Sequence, residues 1–134
     1  MAAVESEEQT SLRLLVVDDE PSLLKSLHEI LKSEGHAVTT ASGGQEAIDI
    51  VQAPDNSQRF DAVITDLGLP HVDGYRVAIA VKLASPATCV ILLTGRGWEI
   101  VEEGAVPADV DQVLGKPPKL RELRAALARC SRAA

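Results

Sequence analysis

Two acidic clusters, a threonine and a lysine each close an apolar run in this chain. Residues 12–17 (LRLLVV) end at Asp18-Asp19-Glu20, and residues 60–65 (FDAVIT) end at Asp66. Residues 89–93 (CVILL) end at Thr94-Gly95, and residues 110–114 (VDQVL) end at Gly115-Lys116-Pro117. If these runs are parallel strands, their carboxyl ends share one edge of one sheet, where open α/β sheets build their sites. Asp18, Asp19, Asp66, Thr94 and Lys116 then converge. Carboxylates that face one another raise each other's proton affinity unless a cation enters. Mg²⁺ or Mn²⁺ suits that role, because hard divalent ions take oxygen ligands. A carboxylate is also a nucleophile, and its attack on a phosphoryl donor gives an aspartyl phosphate. Metal and lysine would stabilise the charge spread over the transferred oxygens.

The elements that must position these residues are legible between the runs. Residues 12–17 read as a strand buried on both faces. Pro21 suits the first turn of a helix over 21–34, with Leu23, Leu24, Leu27, Ile30 and Leu31 on one stripe. Gly35 stands where helices stop. A short second strand covers 36–40. Ser42 is a candidate cap for a helix over 43–53, with Ala47, Ile48 and Val51 inward. Residues 54–58 form a polar loop, and 66–74 form a second loop rich in turn residues. A third helix is expected over 74–84, followed by a strand at 88–93. Gly95, Gly97, Gly104 and Pro107 oppose a long helix, so only a short set of turns is expected near 98–103. A fifth strand at 110–114 and a last helix at 118–130, with Leu120, Leu123 and Leu127 inward, complete five βα units. Such alternation predicts a parallel sheet covered on both faces, in the doubly wound order 2-1-3-4-5. Strands 1 and 3 are then neighbours at the switch point, and Asp18, Asp19 and Asp66 share one crevice.

At 134 residues the chain is long enough for one domain, expected over 12–130 between a disordered lead-in (1–11) and a short tail (131–134). Aromatics are only 2% of residues, so the core must be aliphatic. The net charge of −7 argues against direct nucleic-acid binding, which needs a basic surface. The polar, acidic start is no signal peptide, and no apolar run is long enough to span a bilayer. A cytoplasmic protein without membrane contact is expected. Cys89 and Cys130 form no CxxC pair, and Cys89 reads as a small buried hydrophobe with no disulfide framework implied.

Four segments together resemble the receiver domain of two-component response regulators and hybrid histidine kinases. They are VVDDE at 16–20, DLGLPHVDG at 66–74, LLTG at 92–95 and LGKPP at 114–118. The resemblance covers about residues 12–130 and implies a flavodoxin-like (βα)5 fold. It implies that Asp66 is the phosphoacceptor, taking a phosphoryl group from a phosphohistidine on a sensor kinase or phosphotransfer protein. Asp19 resembles a direct Mg²⁺ ligand and Asp18 one acting mostly through water, with Asp66 and the backbone carbonyl of Gly68 completing the protein ligands. Thr94 is similar to the switch hydroxyl that turns toward the phosphoryl group. Lys116 would pair with Asp66 before transfer and with the phosphoryl group after it, and the resemblance implies a cis Lys116–Pro117 bond. Val113 stands where receivers commonly carry an aromatic switch, and Asp109 where they commonly carry a glycine. The resemblance therefore implies the phosphorylation chemistry but a different movement on the output side, placed in 95–109. The output partner is left open, and the motifs fit both a stand-alone regulator and a receiver within a hybrid kinase.

Other readings of the same residues are weaker. A haloacid-dehalogenase-type phosphatase also uses a strand-end aspartate, Mg²⁺, a hydroxyl and a lysine. It needs a second aspartate two residues after the nucleophile, where this chain has Gly68. A receiver-like module that binds partners without phosphorylation is the other alternative. No enzyme activity beyond phosphorylation of the chain itself and loss of that group is expected. His28, His36 and His71 share no ligand spacing, and Ser42-Gly43-Gly44 lacks the GK[ST] ending of a P-loop. Arg121, Arg124 and Arg129 read as a solvated helix face, and Arg96, two residues after Thr94, reads equally as a solvated loop charge or as a side chain that reaches the phosphoryl group or affects its hydrolysis.

Overall fold

The computed structural model describes residues 11–53, 59–95 and 106–133. Five strands form one parallel sheet: β1 (Arg13–Val17), β2 (Ala37–Ala41), β3 (Ala62–Asp66), β4 (Cys89–Thr94) and β5 (Gln112–Gly115). Their order is β2-β1-β3-β4-β5, as the sequence pattern predicts. Four helices connect or follow them among the described residues: α1 (Pro21–Ser33), α2 (Gly44–Gln52), α3 (Gly74–Ala84) and α4 (Leu120–Ala133). The turns expected at 98–103, with Arg96, lie outside the described residues. So do the loop at 54–58 and nearly all of the expected lead-in.

The three central strands are apolar on both sides because both faces are covered. On one face Leu14, Val16, Ile64, Ile91 and Leu93 meet Leu27 and Leu31 of α1 and Leu123 and Leu127 of α4. On the other, Leu15, Val17, Val63, Val90 and Leu92 meet Ala47 of α2 and Val77 and Val81 of α3. Alternate residues of each strand thus enter opposite clusters, as the two-residue period requires. Sealing both faces removes most of the apolar strand surface from water, and this drives the sheet together.

Helix ends follow local chemistry. Pro21 opens α1, and Gly35, at φ 96°, ends the chain's turn out of it in the left-handed region that glycine adopts without penalty. Asp73 caps α3 by accepting from the Arg76 amide. Ser42 does not cap α2. Gly43 holds that position, and the Ser42 amide and hydroxyl both donate to Glu46 Oε1, at 2.9 and 3.1 Å. His36 accepts the Leu12 amide at Nδ1, and burial pulls its pKa down, which keeps that nitrogen free to accept.

Three expectations about the core need correction. Ile30 and Leu120 stay partly exposed, because each lies at the margin of its helical stripe, beyond the reach of the sheet. Cys89 is buried as expected but is bonded to Cys130, with Cα atoms 5.6 Å apart. The start of β4 and the end of α4 meet at the same sheet edge, so a separation of 41 residues does not keep the cysteines apart. Gln112, at the start of β5, donates to the Ala126 carbonyl of α4 beside that bond. No helix among the described residues is long and apolar enough to cross a membrane.

Candidate functional site

The sheet register brings the strand ends together. Val17 pairs with Thr65, so Asp18 and Asp66 are the next residues along adjacent strands. Asp66 pairs with Leu93, and Thr94, one residue further, pairs with Gly115. Lys116 follows directly. Every one of these residues leaves the sheet at its carboxyl edge, in the crevice at the β1/β3 switch point or beside it.

Asp18 lies just beyond β1 and is fully buried. Its amide donates to the Ala41 carbonyl at the end of β2, and its Oδ1 accepts the Glu20 amide at 2.8 Å. Asp66 is the last residue of β3 and is also buried. Lys116 Nζ donates to Asp66 Oδ2 at 2.9 Å and lies 3.2 Å from Asp18 Oδ2. The Lys116–Pro117 peptide is cis. Asp19 is exposed at the rim. Thr94 is buried at the end of β4, on the same edge. Gly68 is exposed in the loop after β3, and its amide donates to Asp66 Oδ1 at 3.3 Å.

Charge in this crevice is unevenly shared. Burial pushes the Asp18 carboxyl above its ordinary value, and the Glu20 amide and Lys116 offset this only in part. Burial alone would lower Lys116, but Asp66 and Asp18 outweigh it and hold the ammonium above its ordinary value. The asymmetry follows from depth: Asp18 is enclosed, whereas Lys116 keeps partial access to water.

The donor set fits a hard divalent cation. One carboxylate oxygen from each of Asp18, Asp19 and Asp66 lies within 4.8 Å of the other two. Asp18 Oδ2 is buried, and the Lys116 ammonium 3.2 Å away is shared with Asp66 Oδ2. One ammonium shared between two buried carboxylates leaves their charge undercompensated, and an oxygen-seeking ion entering from the Asp19 side would complete the balance.

Sequence reasoning did not single out the close approach that Gly74 makes to Asp66. A Cβ on Gly74 would lie 2.4 Å from the Asp66 carbonyl oxygen, so only glycine lets α3 start this close to the phosphoacceptor candidate. The Gly74 amide also donates to the Leu67 carbonyl at 2.9 Å, closing the loop on itself. The Asp73-Gly74 pair reads in sequence as a turn, and the close approach is visible only once β3 and α3 are in place.

Comparison with known proteins agrees with this geometry. A family model described as "Response regulator receiver domain" matches residues 14–128. The chain is 36% identical over 123 residues to the transcriptional regulatory protein TcrA of Mycobacterium tuberculosis, covering 92% of this chain and 47% of TcrA. It spans about half the length, or less, of the curated relatives it matches. Among solved structures, a response regulator receiver domain protein from Clostridium thermocellum superposes with a TM-score of 0.77 at 31% identity. That match covers 88% of this chain and 92% of the other. The receiver domain of sensor histidine kinase PA1611 from Pseudomonas aeruginosa PAO1, whose structure has a magnesium ion in the active site cleft, gives a TM-score of 0.71 at 28% identity. It covers 92% of this chain and 97% of that one. Sheet order, crevice and sequence match coincide over almost all of the described residues, and the chain belongs to the response regulator receiver domain family.

Proposed function

We propose that Asp66 accepts a phosphoryl group from a phosphohistidine on a sensor kinase or phosphotransfer protein, and that the resulting aspartyl phosphate changes which partner the domain binds. The observation that carries this reading is the Lys116 ammonium, 2.9 Å from Asp66 Oδ2 and shared with the buried Asp18 Oδ2 at 3.2 Å. A carboxylate oxygen of Asp66 forms the new O–P bond as the N–P bond of the donor breaks, and the electron pair leaves with the imidazole. Lys116 holds the carboxylate in place before transfer and turns its ammonium to the phosphoryl oxygens afterwards. Thr94, at the end of the neighbouring strand, offers a hydroxyl to the same oxygens. Asp18, Asp19, Asp66 and the Gly68 carbonyl would hold Mg²⁺ or Mn²⁺. Such an ion neutralises the crowded carboxylates and the charge that develops on the transferred group.

Phosphoramidate, a small N–P donor, tests the reading without a kinase. With Mg²⁺ the intact mass is expected to rise by one phosphoryl group, and Asp66→Asn is expected to abolish the rise. A gain that persists in Asp66→Asn would contradict the assignment, as would wild-type protein that takes up no phosphoryl group.

A further inference from the structure

The loop after Asp66 is held from two sides. Gly74 closes it against Asp66 itself, and on the opposite side it leans on the first turn of α2. A Cβ on Gly44 would lie 2.2 Å from the Val72 carbonyl oxygen and 2.9 Å from Val72 Cβ and Cγ1. The Val72 backbone therefore occupies the space that any other residue at 44 would fill. A Cβ on Gly43, its neighbour, would meet nothing within 4 Å.

The start of α2 is itself tied to the site. Ala41, the last residue of β2, accepts the Asp18 amide. Ser42 then locks onto Glu46, which fixes the first turn of α2 directly after that contact. Val72 in turn donates its amide to the Pro70 carbonyl at 2.8 Å, so the 67–72 segment is short and internally braced. One continuous path thus runs from Asp18 through Ala41, Ser42 and Gly44 to Val72, and back along the loop past Gly68 to Asp66.

We propose that Gly44 is a positioning residue for the metal and phosphoryl site: its missing side chain seats the Val72 carbonyl and so fixes where the 67–72 loop presents Gly68 relative to Asp18 and Asp66. This rests on the function proposed above. On helix propensity alone alanine would be preferred at 44, so a local account predicts no loss there. The steric account predicts the opposite, because the obstructing atom is backbone and cannot swing aside.

The test compares Gly44→Ala with Gly43→Ala, which changes the same helix start but meets open space. Mg²⁺ affinity is measured by titration, and amide exchange over 67–74 is followed in the metal-free protein. Gly44→Ala is expected to weaken Mg²⁺ binding about tenfold, the scale of losses when supporting residues around a metal are changed. Exchange over 67–74 is expected to rise, while Gly43→Ala matches wild type in both readings. Adding Val72→Gly to Gly44→Ala is expected to restore part of the affinity by removing the two crowded carbons and freeing the carbonyl to shift. Unchanged affinity in Gly44→Ala, or equal losses in both glycine variants, would overturn the proposal. If Gly44→Ala does not fold, the double variant is read against Val72→Gly alone: weaker Mg²⁺ binding in the double variant supports the seating contact, and equal binding overturns it. Wild-type protein that binds no Mg²⁺ marks a failure of the underlying functional reading, which is a separate result.

Discussion

Asp18 is the enclosed carboxylate of the crevice, and its environment sets a measurable pH dependence. Its pKa is raised above 3.8, chiefly by burial. The native state therefore keeps this proton at pH values where the unfolded chain has released it. Stability from this group is greatest at low pH and is lost as pH rises through the raised value, leaving a standing cost at neutral pH. Asp18→Asn removes the charge, so the metal-free variant is expected to be more stable than wild type at pH 7 by about 1 kcal/mol, the order of the burial cost that a shared Lys116 leaves uncompensated. The same variant is expected to lose most of the stabilisation that Mg²⁺ gives wild type. Thermal unfolding at several pH values, with and without Mg²⁺, checks both effects. A variant less stable than wild type at pH 7 without metal would show that Lys116 outweighs burial at Asp18.

The elements carry the site because each ends where the chemistry begins. Asp73 shows how local that dependence is: its side chain accepts the Arg76 amide at 3.1 Å and starts α3 directly behind the phosphoacceptor candidate. Asp73→Ala is expected to cost about 1 kcal/mol in denaturant unfolding, the usual loss for a helix cap. No change in the unfolding midpoint would mean that Gly74 and the loop hold the helix start without it. Strands β1, β3 and β4 were legible in the sequence because burial on both faces makes them continuous apolar runs, and each run stops at a charged or hydroxyl residue. Parallel order then places those stops on one edge, which is why Asp18, Asp66 and Lys116 could be grouped before any contact was known. Finer features were not legible. Ser42 has the chemistry of a cap, but Glu46 competes for its hydroxyl and amide. Ile30 follows the helical period, but the period does not say how wide a stripe the sheet covers. The seat of Val72 on Gly44 joins residues 28 apart in sequence, and two adjacent glycines in sequence do not reveal which one is crowded.

At the scale of the whole molecule, two features lie at opposite ends of the sheet. The amino-terminal edge carries the Cys89–Cys130 bond, which ties β4 to α4. The pairing was hidden in the sequence because it depends on where α4 ends over the sheet. Closing a loop of 41 residues restricts the unfolded chain by about 4 kcal/mol in the chain-entropy account. Reductant, or Cys130→Ser, is expected to lower stability by up to about that amount, and denatured protein is expected to show two reactive thiols only after reduction. Two reactive thiols without reduction would contradict the bond. The carboxyl edge carries the crevice, and the central claim is that Asp66 is the residue in it that takes the phosphoryl group. Borohydride reduction of the phosphorylated protein, followed by peptide mass spectrometry, tests this most directly, because it converts an aspartyl phosphate to homoserine at the modified position. The account predicts homoserine at position 66 and at no other aspartate. Homoserine at 18 or 19 with Asp66 intact would contradict it.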